Sequence, residues 1–268
     1  MPVRQHYTHE IVEGRKVGRL DKGINTQFIV YRMNETVIDA GPSNQWRHVR
    51  SFLDQVPVKQ LLLTHHHEDH SGNAQRIADR FDLVPKAPRL SQQKLANGYP
   101  TPMIQKIVWG NPRPVKTETL GETEYLADGS SILSVATPGH AKDLTCYLLP
   151  EQGYFFSGDL YIAKTIKLLR SDEDLPQMIT SLKKAISLDF EVLFCPHGGV
   201  FKDGKKALQG KLKNILELCS KVQELDQRGW DENQITLKLL GQEDMIGKLS
   251  RGNFSRLNLV TQCKLVEL

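Results

Sequence analysis

The alternation of apolar and polar positions divides most of the chain into short strands and amphipathic helices. Residues 25–41, NTQFIVYRMNETVIDAG, place β-branched and aromatic side chains at 28–31 and 36–39 around a break at 33–35. That pattern predicts two strands joined by a turn. WRHVRSFL follows, with Trp46, Val49 and Leu53 on one side of a helix. VKQLLLT is a short apolar run consistent with a buried strand. NAQRIADRF reads as a helix that starts after Ser71-Gly72. EYLADGSSILSVATPGH suggests a hairpin ending in a loop at His140. LTCYLLPEQGYFFSGD repeats that pattern and ends at Asp159. DLPQMITSLKKAISL predicts a helix capped by Asp174, with Pro176 in its first turn. FEVLFCPHGG predicts a strand, then a loop that holds His197.

Two regions depart from this rhythm. Residues 84–120 are irregular and rich in proline, with Pro85, Pro88, Pro100, Pro102 and Pro112 among them. Inside this region Met103–Trp109 has apolar residues at helical spacing. It reads first as a core-packed helix and second as a flap over a site, because long irregular insertions often serve as lids. From residue 202 the pattern turns helical. Leu208, Leu212, Ile215, Leu216, Cys219 and Val222 form one apolar stripe, and shorter helices are expected at 232–240 and 254–262. The expected division is a catalytic domain over 1–201 and a helical subdomain over 202–268.

Composition narrows the class. Of the 268 residues, 39% are hydrophobic and 25% charged, so a core of normal size can form without disulfide or metal staples. A net charge of +4 permits an anionic substrate without demanding nucleic acid. Cys146, Cys195, Cys219 and Cys263 are far apart and form no CxxC, which favours reduced thiols and a cytoplasmic setting. The opening MPVRQHYTHE lacks the apolar run of a signal peptide, and His6 and His9 within it read as solvated. No stretch approaches the length of a membrane span.

The chemistry concentrates at His65-His66-His67-Glu68-Asp69-His70. Four of the nine histidines occupy six positions directly after the apolar run. On an extended backbone residues two apart point the same way, so His65 and His67 can grip one metal while His66 and Glu68 point elsewhere. Asp69 and His70 come as the chain turns and can hold a second metal. The zincin pattern HExxH fails, because His70 follows His67-Glu68 one position too early.

THHHEDHSGN resembles the HxHxDH signature of the metallo-β-lactamase-fold hydrolases. Asp39 in TVIDAG, His140 in TPGH, Asp159 in FSGD and His197 in CPHGG match the other landmarks of that superfamily, in order. Arrangement and length look closest to its glyoxalase II-like and LACTB2-like branches. The resemblance implies an α/β fold, an αββα four-layer sandwich, here with a C-terminal helical extension. It implies that His65, His67 and His140 hold one divalent ion and Asp69, His70 and His197 another, with Asp159 bridging both. Asp39 would orient the ligand loop by hydrogen bonds. Zinc is the default for nitrogen and oxygen donors, with Fe or Mn as alternatives. Paired cations lower the pKa of a shared water from about 15.7 toward about 7, giving a nucleophile for a carbonyl or phosphoryl centre. Asp69 would orient it and take its proton, and Tyr161 is a candidate partner for the oxyanion or leaving group.

Substrate recognition is less legible. Lys164, Lys167 and Arg170 read either as a positive rim or, slightly favoured, as a solvated basic face. The C-terminal Arg/Lys motif of glyoxalase II is not evident; LSRGNFSRLNL offers Arg251 and Arg256 instead. Lys202, Lys205, Lys206, Lys211 and Lys213 permit RNA, but no aromatic stacking platform interleaves them. The expected enzyme is a metal-dependent hydrolase of a small-molecule ester, thioester or lactone. A single-stranded RNA endonuclease or phosphodiesterase is the alternative.

Overall fold

The computed structural model of the chain describes residues 3–19, 26–243, 245–250 and 252–268. The first sheet takes seven strands in chain order: Val3–His9 (β1), Val12–Gly18 (β2), Phe28–Met33 (β3), Thr36–Ile38 (β4), Gln60–Leu62 (β5), Lys86–Ala87 (β6) and Glu118–Thr119 (β7). β1 to β4 pair antiparallel, and β4 to β7 pair parallel. The second sheet holds Thr123–Tyr125 (β8), Ser131–Ala136 (β9), Thr145–Leu149 (β10) and Tyr154–Phe156 (β11). After a ribbon strand at Leu169–Arg170 (β12), Val192–Cys195 (β13) and Gly199–Phe201 (β14) complete it, in the order β14-β13-β11-β10-β9-β8. Helices Trp46–Leu53 (α1), Glu68–Ser71 (α2), Ala74–Phe81 (α3), Arg89–Asn97 (α4) and Met103–Trp109 (α5) connect strands of the first half. Leu175–Ser187 (α6), Gly204–Gln227 (α7), Glu232–Leu239 (α8), Met245–Leu249 (α9) and Arg256–Lys264 (α10) belong to the second.

The layers follow from the two-residue period of the strands. On β3, Phe28 and Val30 face a cluster with Val49, Phe52 and Leu53 of α1 and Ile77 of α3. Ile29, Tyr31 and Met33 face the other way and meet Tyr147, Leu149, Phe156 and Phe194 of the second sheet. On β10, Tyr147 and Leu149 point to that inter-sheet layer, while Cys146 and Leu148 point outward to Leu182 of α6 and Leu208 and Ile215 of α7. Helices therefore cover the outer face of each sheet, giving the four-layer αββα arrangement. The α7 stripe of Leu208, Ile215, Cys219 and Val222 is continuous with this outer core, so the C-terminal helices share a core with the second sheet.

The structure departs from the sequence expectations in several places. Residues 3–18 form a hairpin, β1 with β2, that the polar sequence hid. Its outer strand has no apolar alternation because it lies at the sheet edge. The helix expected over 254–262 begins two residues later. Phe254–Ser255 form a short strand (β15) antiparallel to β12, and the Ser255 hydroxyl caps α10 by accepting from Asn258 N at 2.9 Å. Met103–Trp109 is helical but is not core: Met103 and Ile107 are exposed. Among the described residues no helix is long and apolar enough to cross a membrane.

Gly72 fixes how the histidine-rich loop meets the strand beside it. A Cβ there would lie 2.5 Å from Glu68 O, 2.5 Å from Ser43 N and 2.6 Å from Gly41 O, all backbone atoms that cannot yield separately. Gly72→Ala is expected to destabilise the protein by about 3 kcal/mol or more, read from urea unfolding of the metal-free protein. A loss under about 1 kcal/mol would show that the packing is looser than described.

Candidate metal centre

Three strand ends and a hairpin loop deliver the site. β5 ends at Leu62, and His65, His66 and His67 follow on extended chain before one helical turn, α2, carries Glu68, Asp69 and His70. His140 lies in the β9–β10 loop, Asp159 in a short turn after β11, and His197 in the tight β13–β14 connection. Gly139, at φ +138°, lets the His140 loop press on α6, where a Cβ would meet Met178 N at 2.5 Å.

The side chains converge in two groups: His65, His67, His140 and Asp159, and Asp69, His70, Asp159 and His197. In the first, His65 Nε2 is 2.8 Å from His67 Nδ1, which is 3.1 Å from His140 Nε2, and His140 Nε2 is 3.1 Å from Asp159 Oδ2. In the second, Asp159 Oδ1 is 3.2 Å from His70 Nε2 and 3.1 Å from His197 Nε2, and Asp69 Oδ2 is 3.5 Å from His197 Nε2. Each oxygen of Asp159 thus serves a different group. The spacings are close to the edge of a tetrahedron with metal–nitrogen bonds of about 2.0–2.1 Å, an edge of about 3.3 Å. His70 Nε2 and Asp159 Oδ1 are buried and make no hydrogen bond despite their proximity. Orphaned buried atoms and an all-imidazole-and-carboxylate donor set fit a bound first-row cation.

The far side of each ring is anchored. His70 Nδ1 pairs with Asp39 Oδ2 at 2.7 Å, and Asp39 also accepts from Thr64 N at 2.8 Å. Asp39 adopts φ +59° to do so, an uncommon conformation that aspartate tolerates better than most residues. Thr64 Oγ1 meets His65 Nδ1 at 3.0 Å, the Gln27 carbonyl meets His197 Nδ1 at 2.9 Å, and Glu173 pairs with His140 Nδ1. These contacts hold ring orientation and tautomer. The electrostatics split the set. Burial pushes His65 and His67 well down, helped by neighbouring cations. Burial also opposes charge on His70, His197 and His140. The surrounding carboxylates together outweigh it, Asp159 foremost, with Asp39 adding at His70, Glu173 at His140 and Asp69 at His197, so all three are raised, His140 to about 9. Asp159 itself is held well below the carboxylate range by His70, His197 and His140 against its own burial. The cage therefore carries a standing demand for positive charge.

A cavity of about 300 Å³ opens over both groups. Its walls are largely apolar: Val108, Trp109, Ile162, Leu168 and Phe254, with Glu68, Gln105 and Arg170 among them. Met103–Trp109 supplies part of this wall through Val108 and Trp109, and the Trp109 ring sits 6.3 Å from that of His197.

Several sequence expectations change. Tyr161 does not reach the cavity: it is buried in the core, edge-on to Phe201 at 5.1 Å. Arg170 is no solvated rim, since its Nη1 lies 3.1 Å from His67 Nε2 and its guanidinium covers Phe254. Lys164 and Lys167 are exposed. Glu68 is not a spacer, for it lines the cavity, and burial together with the Asp69 charge raises it to about 7. His66 turns away from both groups, but Asp143 grips it at Nδ1 (2.8 Å) and at the backbone N (2.9 Å). Asp143 also accepts from Ser91 at 2.6 Å, and Lys94 Nζ reaches His66 Nε2 at 3.0 Å. Cys195 is a buried thiol, pushed up to about 11 by burial and donating to Tyr161 O at 2.8 Å. Arg256 donates to Leu240 O, away from the cavity, and Arg251 lies outside the described residues. Sequence reasoning missed Glu173, Asp143 and Phe254, none of which sits in a motif.

Comparison with known proteins agrees with the fold. The family profile described as the metallo-beta-lactamase superfamily matches residues 21–197. The chain belongs to that superfamily. Among curated members, an atrochrysone carboxyl ACP thioesterase of Aspergillus fumigatus is 26% identical over 81% of this chain and 60% of its own length. The thioesterase pkgB of Emericella nidulans is 30% identical over 66% of this chain and 46% of its own length. The chain thus spans only about half to three-fifths of these superfamily relatives. Among solved members, a beta-lactamase domain protein from Burkholderia ambifaria superposes with a TM-score of 0.71 at 15% identity, covering 95% of this chain and 87% of that one. An archaeal superfamily protein from Sulfolobus tokodaii gives 0.63 at 21% identity, over 95% and 98%. At these identities the superpositions establish the fold.

Asp143→Ala removes the acceptor of three buried or half-buried donors around His66 and Ser91. Unfolding of the metal-free protein in urea is expected to show a loss of about 3 kcal/mol or more, against about 1 kcal/mol for Ser91→Ala. Equal small losses would deny Asp143 its place in holding the loop.

Proposed function

We propose that the protein is a metal-dependent hydrolase of acyl thioesters, carried by a small molecule or a carrier protein. The observation that carries the reading is the Asp159 carboxylate shared between the two donor groups on the floor of an apolar cavity. The thioesterase names of two superfamily relatives support the choice of bond. His65, His67 and His140 would hold one ion and Asp69, His70 and His197 the other, with Asp159 common to both. When bound, divalent ions supply a water acidic enough to attack at neutral pH and a Lewis acid for the carbonyl oxygen.

The chain's own residues do the rest. The walls of Val108, Trp109, Ile162, Leu168 and Phe254 take the acyl chain and exclude water from the scissile carbonyl. Asp69 lines the cavity, so it can orient the attacking water and take its proton. Asp39, Thr64, Glu173 and the Gln27 carbonyl keep the imidazoles in one tautomer through the cycle.

Turnover of acyl thioesters is expected to end on chelation and to return on adding back zinc, manganese or iron. Asp69→Ala is expected to lower kcat by about 100-fold or more with little change in KM. A fully metal-loaded protein that cleaves no thioester, or that cuts single-stranded RNA or bis-phosphodiesters instead, would overturn the reading.

A further inference from the structure

Lys211 breaks the pattern of its own helix. The buried stripe of α7 runs Gly204, Leu208, Lys211, Ile215, Cys219, Val222, at spacings of three and four. Every other member is apolar or small, and Lys211 is 4% exposed like them. It is therefore not one of the solvated basic residues its neighbours suggest. Its Nζ donates to Leu160 O at 2.7 Å, next to Asp159. An ammonium has three donors, and among the described residues no carboxylate lies within ion-pairing distance of this one. Glu173 and Asp159 favour its charge only from beyond that distance, and burial still pushes the ammonium down.

The remaining donors have somewhere to go. A second cavity of about 210 Å³ lies beneath the chain between Ile162 and Arg170 and shares His140, Asp159 and Phe254 with the main one. Its walls include Ile166, Leu169 and Met178, and Lys211 lines it. Glu173 is the carboxylate beside it, already engaged by His140 Nδ1 and Arg170 N. A passage from the reacting centre thus leads to the buried Lys211 ammonium, with Arg170 and Lys167 also on its walls. Arg170 is already paired with Asp172 and Lys167 is exposed, which leaves Lys211 as the buried ammonium of the branch. One such ammonium suits a carboxylate; a phosphate dianion calls for several convergent donors.

Building on the thioesterase reading, we propose that this branch is an anion subsite. It selects acyl thioesters whose acyl chain ends in a carboxylate, which Lys211 binds. A purely structural lysine, clamping Leu160, would act on all substrates alike.

The test compares glutaryl and pentanoyl thioesters of N-acetylcysteamine, equal in carbon chain length, on the metal-loaded protein. The wild type is expected to prefer the glutaryl thioester by about tenfold in kcat/KM, and Lys211→Met to abolish that preference while Lys211→Arg keeps part of it. Calorimetric titration with glutarate gives a second readout, with binding expected in the wild type and weakened about tenfold in Lys211→Met. No preference in the wild type, or a preference unmoved by Lys211→Met, overturns the subsite. If neither thioester is turned over, the hydrolase reading falls and the titration alone decides the subsite. Equal glutarate affinity in both proteins, or none in the wild type, rejects it. If Lys211→Met does not fold, the wild-type preference and glutarate binding decide.

Discussion

Asp159 is the group on which the rest of the site depends. Its two oxygens face different sets of imidazoles, each about 3.1–3.2 Å away, inside a protein interior that strongly penalises unbalanced charge. The sets can approach so closely only if positive charge sits between them. The carboxylates favour positive charge on His70, His140 and His197, and divalent ions would meet the demand. The surrounding acceptors then make sense as one device. Asp39 in its left-handed conformation, Thr64, Glu173 and the Gln27 carbonyl each fix the outer nitrogen of a ring whose inner nitrogen points at the centre.

The fold serves this arrangement by placing chain reversals where ligands are needed. Both sheets end strands on the same side of the sandwich, so β5, β11 and the β13–β14 hairpin present His65–His70, Asp159 and His197 together. The inter-sheet layer of Tyr31, Tyr147, Phe156 and Phe194 locks the two sheets at fixed distance. A shift of one sheet would separate Asp159 and His197 from His65 and His70. The C-terminal helices extend the design: β15 pairs with β12, bringing Phe254 and Arg170 to the cavity, and α7 brings Lys211 beneath it.

The sequence made the parts with strong periodicity or unusual composition legible. The strands at 28–39, the helix capped by Asp174 and the α7 stripe could be read because apolar spacing reports directly on burial. The candidate ligand cluster could be read because imidazoles crowded at a strand end have few other uses. Residues whose role depends on long-range contact could not be read. Asp143 lies 77 positions from His66, and Glu173 lies in a polar run with nothing to distinguish it from a solvated turn. Phe254 looked like the start of a helix, Tyr161 like a neighbour of the site, and Lys211 like one basic residue among several. In each case tertiary packing, not local pattern, assigned the side chain its place.

Counting metal ions by native mass spectrometry tests the account most directly. The metal-free protein titrated with zinc is expected to take up two ions per chain, and Asp159→Ala fewer than two, because a shared bridge supports both groups. Uptake of no ion, or of two ions as tightly without Asp159 as with it, would contradict the central claim that one buried carboxylate organises the centre.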